Sequence, residues 1–317
     1  MSPNVRSTAK PLPGVRPKRR LLPRLSATAR EAISGYLFIS PWIIGLVLFT
    51  AGPIIAALAL SFTKYNVFSP PKWVGLQNFG KIATDDRLVG IALYNTAYFV
   101  VVSVPIRLVI AFTIALLLNA QIRGRGIYRT MFYLPTVVPP VAAAVLWMWI
   151  LQPYTGILNY VLDAFGLPPP QWLFSEVWSK PAIILLRLWH IGGPVVIFLA
   201  GLQGLPRHIF EAAEIDGAGT WRRLVRITVP LMTPTILYNL IMDLIQSFQA
   251  FTASYMMTKG GPLNSTLFYV LYVYRHAFEH FNLGYASALS VILFVIVLVV
   301  TVLFMRLSDF WVHYETE

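Results

Sequence analysis

Six apolar runs, near residues 36–62, 91–118, 131–151, 182–203, 235–257 and 284–305, take up much of the chain. Each is as long as the roughly 20 residues a helix needs to cross about 30 Å of hydrocarbon. In lipid the backbone polar groups have to be satisfied within the segment, so such runs fold as helices. The expected fold is an all-α integral membrane protein of six spans. A mean hydropathy of +0.66, with 57% hydrophobic and 12% charged residues, excludes a soluble enzyme.

An even number of spans puts both termini on one side. Sixteen Lys and Arg fall in the N-terminal tail, the 119–130 and 204–234 connections and the C-terminus, against seven in the opposite loops. That asymmetry predicts cytoplasmic termini. The formal charge of +12 sits largely in the tail, residues 1–34, where Arg16, Lys18, Arg19, Arg20, Arg24 and Arg30 cluster. We read this segment as disordered and resting on anionic lipid, with no nucleic-acid role. The permease domain then covers 35–307 and a second tail 308–317. The first apolar run is too long for a signal-peptide core and is read as a retained span. With no cysteine, the chain has no disulfide and no thiolate chemistry.

On the far side, "KYNVFSPPKWVGLQNFGKIATDD" and "QPYTGILNYVLDAFGLPPPQWLFSEVWSK" read as loops able to pack on a partner. Trp42, Trp147, Trp149 and Trp311 fit the aromatic belt at the lipid headgroups.

The run "GLPRHIFEAAEIDGAGTWRRLVRITVP" does not belong in lipid. At the bilayer centre its Arg207, Glu211, Glu214, Asp216, Arg222, Arg223 and Arg226 would cost on the order of 20 kcal/mol together. Pro206 suits a helix start, "RHIFEAAEI" a short helix, and Gly217 and Gly219 its end. Thr220 is expected to cap a second helix, with an apolar stripe of Trp221, Leu224, Val225 and Ile227, that Pro230 closes. Glu211 and Arg207, four apart, are placed to pair with each other or with a partner.

Glu211, Ala212, Ala213, Gly217, Ile227, Val229 and Pro230 together resemble the EAA loop of ABC importer membrane subunits. Val229 stands where that family usually has Leu. "WVGLQNF" (73–79), "LLLNAQIRGRGIYRTMFYLP" (116–135), "VIFLAGLQGLP" (196–206), "TKGGPLNST" (258–266) and "FNLGYASALSVILF" (281–294) follow in the order of the carbohydrate-uptake branch. The resemblance implies a type I importer permease fold, with the 204–234 loop as a coupling helix on an ATPase subunit. Glu211, Ala212, Ala213 and Gly217 become the coupling residues. The implied partners are a second permease subunit, two ATPase subunits, an extracytoplasmic solute-binding protein and a carbohydrate, in the cytoplasmic membrane.

No phosphate loop of the G-x-x-x-x-G-K-[ST] type occurs, so ATP hydrolysis belongs to another chain. No catalytic residue, metal site or cofactor is expected. Polar side chains inside the spans instead mark a substrate path or contacts between helices. Asp243, Gln246, Ser247, Ala250 and Ser254 share one face of the fifth span, with Phe248 and Phe251 close by. Carboxylate and amide groups suit sugar hydroxyls, and rings suit sugar C–H faces. In the fourth span Pro194 removes the bond to the carbonyl of His190, which predicts a kink and a free acceptor beside Trp189 and His190. Arg187 is expected to snorkel to an interface. Arg107 is a partner for Asp243 or for an acid on another subunit. A sugar or oligosaccharide is the expected cargo; glycerol phosphate or another polar solute, and a self-sufficient transporter or channel, are the alternatives.

Overall fold

The computed structural model describes residues 26–120 and 123–312, so most of the basic tail and the chain's last five residues lie outside the described residues. Three helices are long and apolar enough to cross a membrane: Glu31–Ser61, Arg87–Asn119 and Leu283–Ser308. Three pairs meet that test only together: Arg125–Val137 with Pro140–Ile150, Ser179–Trp189 with Gly192–Gly204, and Thr220–Leu231 with Thr233–Phe248, bent by 102°, 46° and 63°. Counted as one span each, they bring the total to six.

The bends have local causes. Val138 (ψ 126°) and Pro139 (ψ 140°) each precede a proline, which forces both out of the α region and turns the 131–151 run into a corner. Pro194 lies in the first turn of Gly192–Gly204, just beyond a non-helical His190 (ψ 47°). Pro234 opens Thr233–Phe248 in the same way.

By internal packing the chain divides into residues 1–54 and 55–317. In the first unit, the Ser26 hydroxyl accepts from the Ala29 N–H (3.1 Å) and starts Ala27–Leu46. Residues 27–34, assigned from sequence to the tail, are therefore helical. The apolar side chains of this helix are exposed, Phe38 and Trp42 among them, as suits a face meant for hydrocarbon.

In the second unit, Asp86 caps the 33-residue helix Arg87–Asn119 through the Leu88 N–H (3.1 Å). At 1.5 Å per residue this helix is about 50 Å long and outreaches the hydrocarbon. Its fully buried Ala111 and Ala115 let Gly192–Gly204 pack closely, with Phe112 and Phe198 edge to face at 5.4 Å. The stretch read as a first loop forms a small antiparallel hairpin, Thr63–Asn66 with Ser69–Trp73, and a helix, Gln77–Thr84. The second loop contains Ile157–Ala164. It is fastened by buried Asn159, which donates to the Pro153 and Pro170 carbonyls (3.0 and 3.1 Å) and accepts from the Trp172 indole (2.7 Å).

Gly192 marks a close approach of two helices. A Cβ there would lie 2.5 Å from Thr136 Oγ1, 2.7 Å from the Phe132 carbonyl oxygen and 2.8 Å from Tyr133 Cα. Two of those neighbours are backbone and cannot yield. Gly192→Ala is expected to lose about 1–3 kcal/mol of stability through overpacking. Gly193→Ala, whose Cβ meets nothing within 4 Å, is expected to melt close to the parent. Thermal unfolding in detergent compares the two.

Candidate functional site

The kink in the fourth span creates the first part of the site. With no N–H at Pro194, the His190 carbonyl has no helical donor and instead accepts from Arg107 Nη2 (2.6 Å). Arg107 Nη1 pairs with Asp243 Oδ1. Arg187 Nη2 donates to the same Oδ1 (2.8 Å), to the Asp243 carbonyl (3.2 Å) and to Ser247 Oγ (2.6 Å). Three spans are thus joined through one carboxylate. The side chains of Arg107, Arg187 and Asp243 are 9%, 15% and 2% exposed, so the cluster is largely buried.

Arg187 corrects the sequence reading. It turns into the bundle instead of snorkelling, because a carboxylate and the Phe99 ring (5.5 Å from its guanidinium) both lie within reach. Its spacing of three from His190 was the visible signal. Arg107 takes the Asp243 partnership.

The continuous polar face expected on the fifth span is interrupted. The helix ends at Phe248, and residues 249–251 leave helical geometry before the chain winds again from Thr252 into Ser254–Thr258. That opening lets Gln246, Gln249, Phe251 and Thr252 border a cavity of about 330 Å³ together with Arg107, Arg187 and His190. A second cavity of about 210 Å³ touches Asp243, Gln246 and Asn239. Gln246 reaches both. Ser247 is fully buried, its hydroxyl donating to the Asp243 carbonyl (2.5 Å) while it accepts from Arg187. Phe248 points away into the core with Tyr269 and Leu271. Trp189 packs edge to face on Trp147 (6.2 Å) and on its neighbour His190 (5.0 Å). The face therefore splits: Gln246 and His190 meet a cavity, while Ser247, Phe248 and Trp189 support it.

Another node carried little signal in the sequence. Asn95 donates to the Asn264 and Leu267 carbonyls (2.8 and 3.3 Å) and accepts from Lys180 Nζ (3.1 Å). With the Ser179–Ser265 hydroxyl contact (2.8 Å), it pins the "TKGGPLNST" segment across the second and fourth spans. A lone Asn in an apolar run does not declare a partner about 170 residues away in sequence.

The 204–234 loop forms a separate surface. Helix Arg207–Ile215 has no buried residue, and Ile215 at its end is 87% exposed. Gly217 (φ +71°) closes it: the Ala218 N–H bonds the Ala213 carbonyl (2.9 Å) and the Gly217 N–H bonds that of Glu214 (3.0 Å). This is a Schellman turn, which needs the left-handed residue glycine supplies. Glu211, Ala212 and Gly217 are exposed and Ala213 is half-buried. The ion pair here is Glu214 with Arg223 (3.2 Å); Arg207 and Glu211, spaced to pair, stay apart and border a hollow of about 760 Å³ with Arg125. Thr220 is the first helical residue after an N-cap Gly219, so it does not cap. Nor does Pro230 end the second helix. A π turn, Leu224–Thr228, carries the chain through it to Leu231, since Pro230 falls at the start of a new α turn where its missing N–H is harmless.

Bent apolar helices around a buried charge cluster, with a bare polar helix at one end, define an integral membrane transport subunit. The chain belongs to the family described as binding-protein-dependent transport system inner membrane component, whose profile matches residues 107–313. It is 41% identical over 292 residues to the probable ABC transporter permease protein YesP of Bacillus subtilis (strain 168), covering 91% of this chain and 94% of that one. It is 32% identical over 286 residues to the trehalose/maltose transport system permease protein MalF of Thermococcus litoralis, covering 89% and 95%. Its fold matches a chain of a bacterial alginate ABC transporter crystallised with an alginate pentasaccharide-bound periplasmic protein: TM-score 0.79, 23% identity, 90% and 97% covered.

Proposed function

We propose that this chain is one permease subunit of an ATP-driven importer that carries a saccharide across the cytoplasmic membrane. The observation that carries the reading is the helix Arg207–Ile215, which is closed by its own turn yet has no fully buried residue and leaves six of its nine exposed. A surface so ordered and so bare suits a partner, and its position between two bent spans suits the transmission of movement. On this reading two ATPase subunits dock below and a second, similar permease completes the pathway. An extracytoplasmic binding protein delivers solute above, with both termini of this chain in the cytoplasm.

The bends at Val138, His190 and Met232 and the unwound residues 249–251 are the places where rigid segments pivot in alternating access. A saccharide is supported by the similarity to a trehalose/maltose permease and by a cavity edged with Gln246, Gln249, His190, Thr252 and Phe251. Asp243 acts mainly as the counter-ion that sets the shape of this wall.

The test is isolation of the tagged chain from its native membrane in mild detergent, followed by reconstitution. We expect a second permease and an ATPase to co-purify, with ATP hydrolysis that rises when saccharide-loaded binding protein is added. Full uptake by vesicles holding this chain alone would replace the reading with a self-sufficient transporter.

A further inference from the structure

The charge cluster is unbalanced. Two arginines, Arg107 and Arg187, face one carboxylate, and Asp243 is the sole acid bordering either of the cavities they meet among the described residues. One positive charge is therefore in excess inside a water-poor bundle, where an uncompensated charge is unfavourable. The hydrogen bonds are unbalanced too. Arg107 Nε, Arg187 Nε and His190 Nε2 are buried without a partner, and all three residues edge the 330 Å³ cavity. Buried groups left unanswered call for a ligand, ion or water.

We propose that the imported saccharide carries a carboxylate, as in an oligosaccharide containing uronic acid, and that this carboxylate docks against Arg107 and Arg187. The inference rests on the importer reading above and names its substrate class. A carboxylate brings one negative charge, which matches the excess; a phosphate monoester, at about −1.5 to −2, overshoots it. The planar guanidinium fork also matches a planar carboxylate. The remaining groups of that cavity suit the rest of a sugar: Gln246 and Gln249 for hydroxyls, and Phe251, stacked on Tyr255 at 5.2 Å, for a C–H face.

The experiment uses the intact complex in proteoliposomes and measures ATP-dependent uptake of four kinds of solute. These are oligosaccharides bearing a single uronate residue (galacturonate, glucuronate or mannuronate), their methyl esters, maltotriose, and glucose 6-phosphate. We expect uptake of a uronate oligosaccharide with at least tenfold preference over its ester, falling at least tenfold in Arg187→Gln and less in Arg187→Lys. Equal uptake of acid and ester, or uptake of maltotriose or glucose 6-phosphate alone, would overturn the carboxylate assignment while leaving the importer intact. No ATP-dependent uptake of any of the four would overturn the carboxylate assignment, and the importer reading falls with it only if no ATPase co-purifies with the chain.

Discussion

Asp243→Asn is expected to lower the melting temperature of the chain by on the order of ten degrees. Removing one partner of a buried ion pair typically costs about 3–5 kcal/mol, because the other charge stays behind unanswered. For a domain of 150–250 residues each kcal/mol shifts the midpoint by about 2–4 °C. Here one carboxylate oxygen serves two guanidinium groups, so the substitution leaves both Arg107 and Arg187 without a counter-charge. Asparagine keeps the shape and one acceptor, so the loss reports on charge and not on volume. Arg187→Gln combined with Asp243→Asn restores the net charge of the cluster to that of the parent. That pair is expected to recover part of the stability, with a coupling of about 0.5–3 kcal/mol. Melting in detergent, followed by size-exclusion, measures Asp243→Asn, Arg187→Gln and the pair together. An Asp243→Asn chain that melts like the parent would mean that the two arginines do not depend on this acid.

The number and class of the spans were legible in the sequence because lipid allows few ways to satisfy a backbone, so run length alone nearly decides the element. The bends were legible only where proline announces them. Pro194 marked the kink and even the carbonyl it frees, which Arg107 then uses. The opening at residues 249–251 has no proline or glycine within it, and period counting carries the helix straight across. That break brings Gln249 and Phe251 to the cavity beside Gln246, while Ser247 and Phe248, on other faces of the helix that ends at Phe248, turn inward. Arg187 was misplaced for a different reason. Its surroundings depend on a helix 56 residues further along, and sequence reasoning weighed only the nearness of an interface. In the 204–234 loop the contacts are local, and Gly217 fell at the position the turn requires; Thr220 did not, because Gly219 took the cap.

Ala213→Trp and Glu211→Lys are expected to abolish most solute-stimulated ATP hydrolysis while leaving the melting temperature of the chain nearly unchanged. The two halves of that expectation have separate causes. Helix Arg207–Ile215 has no fully buried residue, Ala213 being half-buried, and Glu211 has no ion-pair partner among the described residues, so the two changes fall outside the core of the bundle. At a docked surface the same changes act fully. Forcing extra volume into a packed contact costs about 1–3 kcal/mol, and each 1.4 kcal/mol is a tenfold loss of affinity, so ATPase binding should weaken by about 5- to 150-fold. Gly217→Val separates the turn from the surface. It places a β-branched residue at φ +71°, strained by about 1–2 kcal/mol, although the space around it is open. The last turn of the helix should fray, taking the exposed Ile215 and the Glu211 face out of register. Co-purification of the ATPase and its stimulated hydrolysis, measured beside the melt of the isolated chain, checks the set. Normal stimulated hydrolysis in Ala213→Trp and Gly217→Val would show that movement enters the bundle by another route.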